Sequence, residues 1–157
     1  HRCIVKLKMK DLEACGKYSD NAYFLNTGSP HYVEFVEDTA TYPVDEKGKY
    51  WRYHKDFEGG TNVNFVQIND NCINVRTYER GVEAETFACG TGIVASCVAA
   101  YVAGIEPSGT ESGLVRYDVM ARRDRLSVSF IPKGTGQMED IYLTGPATFI
   151  AEIIISL

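Results

Sequence analysis

Alternation of apolar and polar residues dominates this chain. Val5-Lys6-Leu7-Lys8-Met9-Lys10 alternates almost from the first residue, and Tyr32-Val33-Glu34-Phe35-Val36-Glu37 does so again. A period of two places one set of side chains on one face of a strand. Residues 62–68 and 72–78 carry the same period on either side of Asn69-Asp70-Asn71, a turn composition, which predicts a hairpin. Residues 114–120 and 126–131 predict two more strands, joined through Ala121-Arg122-Arg123-Asp124-Arg125 as a second hairpin. Residues 141–143 and 147–155 read as closing strands split by the turn signal Gly145-Pro146. Residues 45–54 predict a short surface helix with Tyr50, Tyr53 and His54 on one side. Lys133-Gly134-Thr135-Gly136 and Ser108-Gly109-Thr110 are glycine-rich but lack the lysine pattern of a phosphate loop, so both read as turns.

One segment breaks the alternation. Residues 93–103 are apolar on every side, which predicts a helix buried on most of its surface and stopped by Gly104. Many strands and one buried helix give an α+β fold: a curved, mostly antiparallel β-sheet wrapped around a buried central α-helix.

Composition narrows the function classes. The 157 residues suit a single domain with a real core, and 45% hydrophobic with 24% charged residues is the balance of a soluble globular protein. The net charge of -5 offers no basic footprint for nucleic acid. No uninterrupted apolar run reaches membrane-spanning length, and no signal peptide opens the chain. The five cysteines, Cys3, Cys15, Cys72, Cys89 and Cys97, are odd in number and lack Cys-x-x-Cys spacing. That argues against a disulfide framework and against a zinc site, and for a reducing, cytoplasmic location. The opening His1-Arg2-Cys3 has no Met and leads straight into a strand pattern, which suggests a piece of a longer protein or a trimmed N-terminus.

The chemistry concentrates at Phe87-Ala88-Cys89-Gly90-Thr91-Gly92. Cys89 falls at the predicted N-terminus of the buried helix, where free N–H groups and the helix dipole favour an anion, and so a thiolate. The same glycine-rich turn can hold a carboxylate or phosphate. Buried cysteines are mostly small hydrophobes, and Cys97 in mid-helix reads that way. Gly90 and Gly92 free the backbone beside Cys89, and the charged cluster Tyr78-Glu79-Arg80-Gly81 lies just upstream. His31, Glu79, Arg80 and Asn62 each have an ordinary structural reading: a hydrogen-bonded histidine, a surface ion pair, a satisfied turn amide. His1 and His54 read as structural or exposed.

Gly28-Ser29-Pro30-His31, Asn62-Val63-Asn64-Phe65-Val66, Tyr78-Glu79-Arg80-Gly81, Ala88-Cys89-Gly90-Thr91-Gly92 and Leu143-Thr144-Gly145-Pro146-Ala147 occur in the order and approximate spacing of the diaminopimelate epimerase family. The resemblance covers the whole chain but only the C-terminal half of the family's protein. It implies two pseudo-symmetric halves, each a sheet around a helix, with one cysteine from each; the N-terminal half with its own Cys-Gly-Asn-Gly motif is absent from residues 1–157. It further implies interconversion of LL- and meso-diaminopimelate without pyridoxal phosphate or metal, in lysine and peptidoglycan biosynthesis. Removing an α-proton on one face and returning it on the other calls for two groups, one thiolate and one thiol. By resemblance Cys89 is one of that pair, with Glu79 and His31 beside the thiol to orient it or tune its proton. The N–H groups of Gly90 and Thr91 would hold the α-carboxylate, Arg80 the distal carboxylate, and Asn62 the distal end of the substrate.

Two positions depart from the family pattern. Ser29 stands where Asn is usual, and its shorter hydroxyl points to a bridging water rather than direct substrate contact. The loop Gly81-Val82-Glu83-Ala84-Glu85 is one residue longer than the common form, which predicts a bulge without altered chemistry. Three readings compete: the C-terminal half of a diaminopimelate epimerase, a related amino-acid racemase or isomerase of the same fold, and a non-catalytic carboxylate-binding module. Pairing of two copies as a homodimer stays open.

Overall fold

The computed structural model describes residues 2–70 and 72–155. His1, and Asn71 of the predicted hairpin turn, lie outside the described residues. In chain order the elements are β1 (Arg2–Lys8), β2 (Cys15–Ser19), β3 (Ala22–Asn26), β4 (Pro30–Phe35), α1 (Val44–Arg52), β5 (Asn62–Ile68) and β6 (Ile73–Glu79). They continue as β7 (Ala84–Thr86), α2 (Gly90–Val102), β8 (Gly109–Glu111), β9 (Leu114–Met120), β10 (Arg125–Gly134) and β11 (Gln137–Thr148). All strands join one 11-stranded sheet in the order β1-β11-β10-β9-β6-β5-β4-β3-β2, with β7 on β6 and β8 on β9. Pairing is antiparallel except between β4 and β5 and between β6 and β9. The predicted curved, mostly antiparallel sheet around a central helix is the architecture observed.

The helix α2 has no polar face to give to water, and residues 92–100 are buried throughout. It packs against β2 to β6 and against β10 and β11, so the sheet closes around it. Ile93, Val94 and Val98 are sealed from solvent and contribute about 1.5–3 kcal/mol each. The helix stops where Gly104 takes φ +80°, a left-handed conformation that costs glycine little.

The strands β4, β5 and β6 are covered on both faces. Val33, Val66 and Val75 face α2, whereas Tyr32, Val63, Phe65 and Tyr78 join Ala22, Val44 and Phe57 in a second cluster under α1. Aromatic rings dominate that second cluster: Tyr32 stacks on Trp51 at 4.4 Å and Phe24 on Phe57 at 4.9 Å. The helix α1 carries Asp45 and Glu46 in its first turn and Lys49 and Arg52 in its last, which suits its dipole. Gly48 is needed there because a Cβ would sit 2.3 Å from Cβ of Tyr78. His54, just past α1, rests against Trp51 at 5.0 Å.

Several predicted elements need correction. Gly145-Pro146 does not turn the chain; β11 runs straight through it, with Ile4 opposite Pro146. Beyond Thr144 the strand pairs with β1 and no longer with β10, so a residue without an N–H is tolerated there. Gly145 serves packing, since a Cβ would come within 2.8 Å of Leu126 Cδ2. The closing strand ends at Thr148, and residues 149–155 have neither regular structure nor burial. Of Ser108-Gly109-Thr110, read as a turn, Gly109 and Thr110 fall in β8. β2 and β3 were not predicted: β2 is mostly exposed and β3 is buried on both faces, so neither alternates.

Candidate active site

Cys89 is the N-cap residue of α2, with extended backbone (φ -126°, ψ 111°), and its carbonyl accepts the Ile93 N–H at 2.8 Å. Neither a side-chain cap nor an acidic residue in the first turn satisfies the helix N-terminus. The free N–H groups and the positive end of the dipole therefore remain turned toward the half-buried thiol. Gly92 is explained by close packing: a Cβ would lie 2.3 Å from Asn64 Oδ1 and 3.2 Å from His31 Cε1. The first turn of α2 thus rests directly on β4 and β5. The loop before β4 is tied to the same turn, since Thr27 Oγ1 donates to the Thr91 carbonyl at 2.8 Å.

A continuous line of hydrogen bonds ends at the cysteine. Thr77 Oγ1 donates to Asn64 Oδ1 at 2.9 Å, and Asn64 Nδ2 donates to the Tyr32 carbonyl at 3.2 Å and to His31 Nδ1 at 3.0 Å. The carbonyl partner fixes which end of the Asn64 amide is NH2. His31 Nδ1 is therefore an acceptor, and the neutral ring carries its proton on Nε2. That Nε2 lies 2.9 Å from Thr91 Oγ1 and 3.1 Å from Ser29 Oγ. Thr91 Oγ1 accepts from the imidazole, which leaves its own hydrogen for Cys89 Sγ at 3.5 Å or Ser29 Oγ at 3.2 Å. His31 thus communicates with the thiol through the Thr91 hydroxyl.

Burial, and secondarily the Arg80 charge, hold His31 down at about 3 from the usual 6.5. An unfolded chain binds this proton near pH 6.5 while the folded chain does not, so His31 costs stability as pH falls from about 6.5 toward 3. The expected result is a thermal midpoint that declines over this window in the parent chain and declines less steeply in His31→Gln, measured by circular dichroism.

Asn62 links two neighbouring segments. Its Nδ2 donates to the Pro30 carbonyl at 3.0 Å and reaches Ser29 Oγ at 3.4 Å, while its Oδ1 accepts the Arg80 N–H at 2.8 Å. Arg80 Nη1 donates to the carbonyls of Gly59 and Gly60 at 3.2 and 3.3 Å. No carboxylate forms an ion pair with it among the described residues, so adjacent Glu79 and Arg80 are not a surface salt bridge. Glu79 Oε2 accepts from Thr86 Oγ1 at 2.9 Å, on the strand that leads to Cys89. In the loop after Arg80, Gly81 (φ +95°) and Glu83 (φ +60°) adopt left-handed conformations, and Glu83 Oε1 accepts the Gly81 N–H at 3.0 Å.

Ser29, His31, Asn62, Cys89 and Thr91 therefore belong to one bonded network, Arg80 joins it through its own N–H, and Gly90 opens the helix turn between Cys89 and Thr91. Glu79 is attached by way of Thr86. Sequence reasoning missed Thr27, Asn64 and Thr77 as members. Asn64 lies two residues from Asn62, hence on the same strand face, and Thr77 is its cross-strand partner. Within the described residues no group of three or more His, Cys, Asp or Glu side chains is arranged to hold a metal ion.

The geometry predicts an order of thiol reactivity. Burial pushes the Cys15 thiol up to about 12, raises Cys72 and raises fully enclosed Cys97 well above the ordinary range. Cys89 alone caps a helix. Under limiting iodoacetamide near neutral pH, mass spectrometry is expected to find Cys89 modified first, ahead of exposed Cys3 and far ahead of the other three. Earlier modification of Cys72 or Cys97 would contradict this geometry.

Fold and sequence comparisons agree on the class. A hydroxyproline epimerase from Agrobacterium vitis superposes with a TM-score of 0.59 at 15% identity, over 93% of this chain and 50% of that one. A probable proline racemase from Agrobacterium radiobacter gives 0.56 at 14% identity, over 98% and 54%. At such identities the likeness shows a shared fold. In sequence, the family profile described as diaminopimelate epimerase matches residues 23–150. The diaminopimelate epimerase of Flavobacterium psychrophilum is 38% identical over 154 residues, 97% of this chain and 57% of its own length. That of Aquifex aeolicus is 40% identical over 124 residues, 78% of this chain and 41% of its own length. The chain belongs to the diaminopimelate epimerase family, and it spans about half the length of the curated relatives it matches.

Proposed function

We propose that these residues are the C-terminal half of a cofactor-independent epimerase that interconverts LL- and meso-diaminopimelate in the cytoplasm, and that Cys89 is one of its two proton-transferring thiols. The observation that carries this reading is Cys89 at the uncapped N-terminus of α2, within reach of the Thr91 hydroxyl. When the Thr91 hydroxyl, which accepts from neutral His31, gives its hydrogen to sulfur, it supports the thiolate that must remove an α-proton. The N–H groups of Gly90 and Thr91 receive the α-carboxylate and the negative charge that grows on it as the proton leaves. Arg80, without a carboxylate partner, receives the distal carboxylate in a forked pair. Asn62 holds Arg80 by its backbone, and its long 3.4 Å bond to Ser29 is the one that the distal end of the substrate would replace. Glu79 steadies the approach to Cys89 through Thr86, and Ser29 orders His31 and Thr91.

The opposite face of the α-carbon requires a second thiol from an N-terminal half. Phe149, Ile150, Ile153, Ile154 and Ile155 after β11 are all exposed, apolar side chains that a second half would cover. Turnover by the full-length protein tests the reading. Diaminopimelate is expected to be inverted and proline left unchanged; inversion of proline instead would assign the protein to another activity of the same fold.

A further inference from the structure

The segment that delivers Cys89 is held at three successive residues. Glu85 receives a bidentate pair from Arg76 at 2.7 Å on each oxygen, and Arg122 lies 3.5 Å from the same carboxylate. Arg76 is itself anchored, donating to the Thr39 carbonyl at 2.6 Å. Thr86 is bonded to Glu79. Phe87, half exposed and two residues before the thiol, has the Arg123 guanidinium 3.5 Å from its ring centroid and that of Arg122 at 5.5 Å. Both arginines come from the turn between β9 and β10, an element with no other part in the site. Two cations thus lie within reach of one ring beside the thiol, close enough for cation–π attraction.

We infer that Arg123 is a positioning residue for Cys89, acting through Phe87 by clamping the β7–α2 segment so that the sulfur stays at the helix N-terminus and beside Thr91. The value of that placement for catalysis rests on the role proposed for Cys89, but the placement itself is tested without turnover. Cys89 is already half open to solvent, so loosening the segment adds little access. What it removes is the fixed place of the sulfur at the helix N-terminus and beside the Thr91 hydroxyl.

The second-order rate of Cys89 alkylation by iodoacetamide at neutral pH, read by mass spectrometry with Cys97 as internal reference, measures the effect. Arg123→Gln is expected to slow Cys89 roughly twofold to fivefold, the size set by an exposed cation–π contact, and Phe87→Leu to slow it equally. Arg123→Lys, which keeps a cation for the ring, is expected to recover most of the loss. In the Phe87→Leu background, Arg123→Gln is expected to add nothing. An unchanged or faster rate in Arg123→Gln would overturn the inference. Additive losses in the double variant would also overturn it, because they would mean that the arginine charge acts directly on the thiol. A faster rate at enclosed Cys97 would reduce the effect to general loosening of the fold and overturn it likewise. If alkylation behaves as expected but Cys89 proves dispensable for turnover in the full-length protein, the clamp stands and the proposed chemistry falls.

Discussion

Purified alone, the 157-residue chain is expected not to interconvert LL- and meso-diaminopimelate. An α-proton next to a carboxylate is a very weak acid, and inversion requires its removal on one face and its return on the other. Cys89 is fixed at one helix N-terminus and reaches one face only. A thiol that takes the proton and gives it back on the same side exchanges hydrogen with solvent and leaves the configuration unchanged. An open site also keeps its water, which weakens every electrostatic contact made to the developing charge. Incubation in deuterium oxide followed by chiral chromatography separates the outcomes. Slow deuterium incorporation without inversion, or no reaction, is expected; inversion at an ordinary enzymatic rate of about 1 s⁻¹ or more would contradict the need for a second half.

Arg80 carries the next largest expected effect. In the full-length protein, Arg80→Ala is expected to cost about 2–5 kcal/mol of transition-state stabilisation, measured as kcat/KM for diaminopimelate. The distal carboxylate distinguishes this substrate from ordinary amino acids, and a guanidinium grips it with two parallel hydrogen bonds. Arg80→Lys keeps the charge and loses the fork, so it is expected to be impaired but less so. Alkylation of Cys89 should continue in both variants. His31 should also stay neutral, because desolvation is the larger cause of its shift and the Arg80 charge the smaller. A kcat/KM within about twofold of the parent in Arg80→Ala would make Arg80 a support for the Gly59 and Gly60 carbonyls and nothing more.

Where burial is one-sided, the pattern of residues gave the strand directly. β9 shows this, with Val115, Tyr117 and Val119 inward and Leu114, Arg116 and Met120 outward. Where burial is two-sided the pattern vanishes, as in Ala22-Tyr23-Phe24-Leu25 of β3, and a strand looks like any apolar run. Gly145-Pro146 misled because a turn composition was read without its neighbours; one paired edge and the contact with Leu126 decide the conformation there. Residues 149–155 misled in the opposite sense: an apolar run was read as a strand, and Phe149, Ile150, Ile153, Ile154 and Ile155 are exposed.

The candidate site was legible in its polar residues and not in their wiring. Cys89 stands out by its place before the buried helix, whereas His31, Asn62 and Arg80 entered through the family resemblance. That His31 reaches the sulfur by way of Thr91 depends on which ring nitrogen Asn64 occupies, and this emerges only when β4 and β5 are paired in register. Gly92 invited a ligand-binding explanation, whereas its nearest neighbours are Asn64 and His31. The stacking of Arg123 on Phe87 joins residues 36 positions apart with no shared motif, so nothing local announces it.

The central claim is that Cys89 moves the substrate proton. The most direct test compares kcat/KM for epimerisation of diaminopimelate by full-length Cys89→Ala and Cys97→Ala. Cys97→Ala removes a fully buried sulfur and Cys89→Ala a half-buried one, so the control carries the larger cost to folding. The account predicts a loss of at least about a hundredfold for Cys89→Ala and near-parent turnover for Cys97→Ala. Near-parent turnover in Cys89→Ala would contradict it.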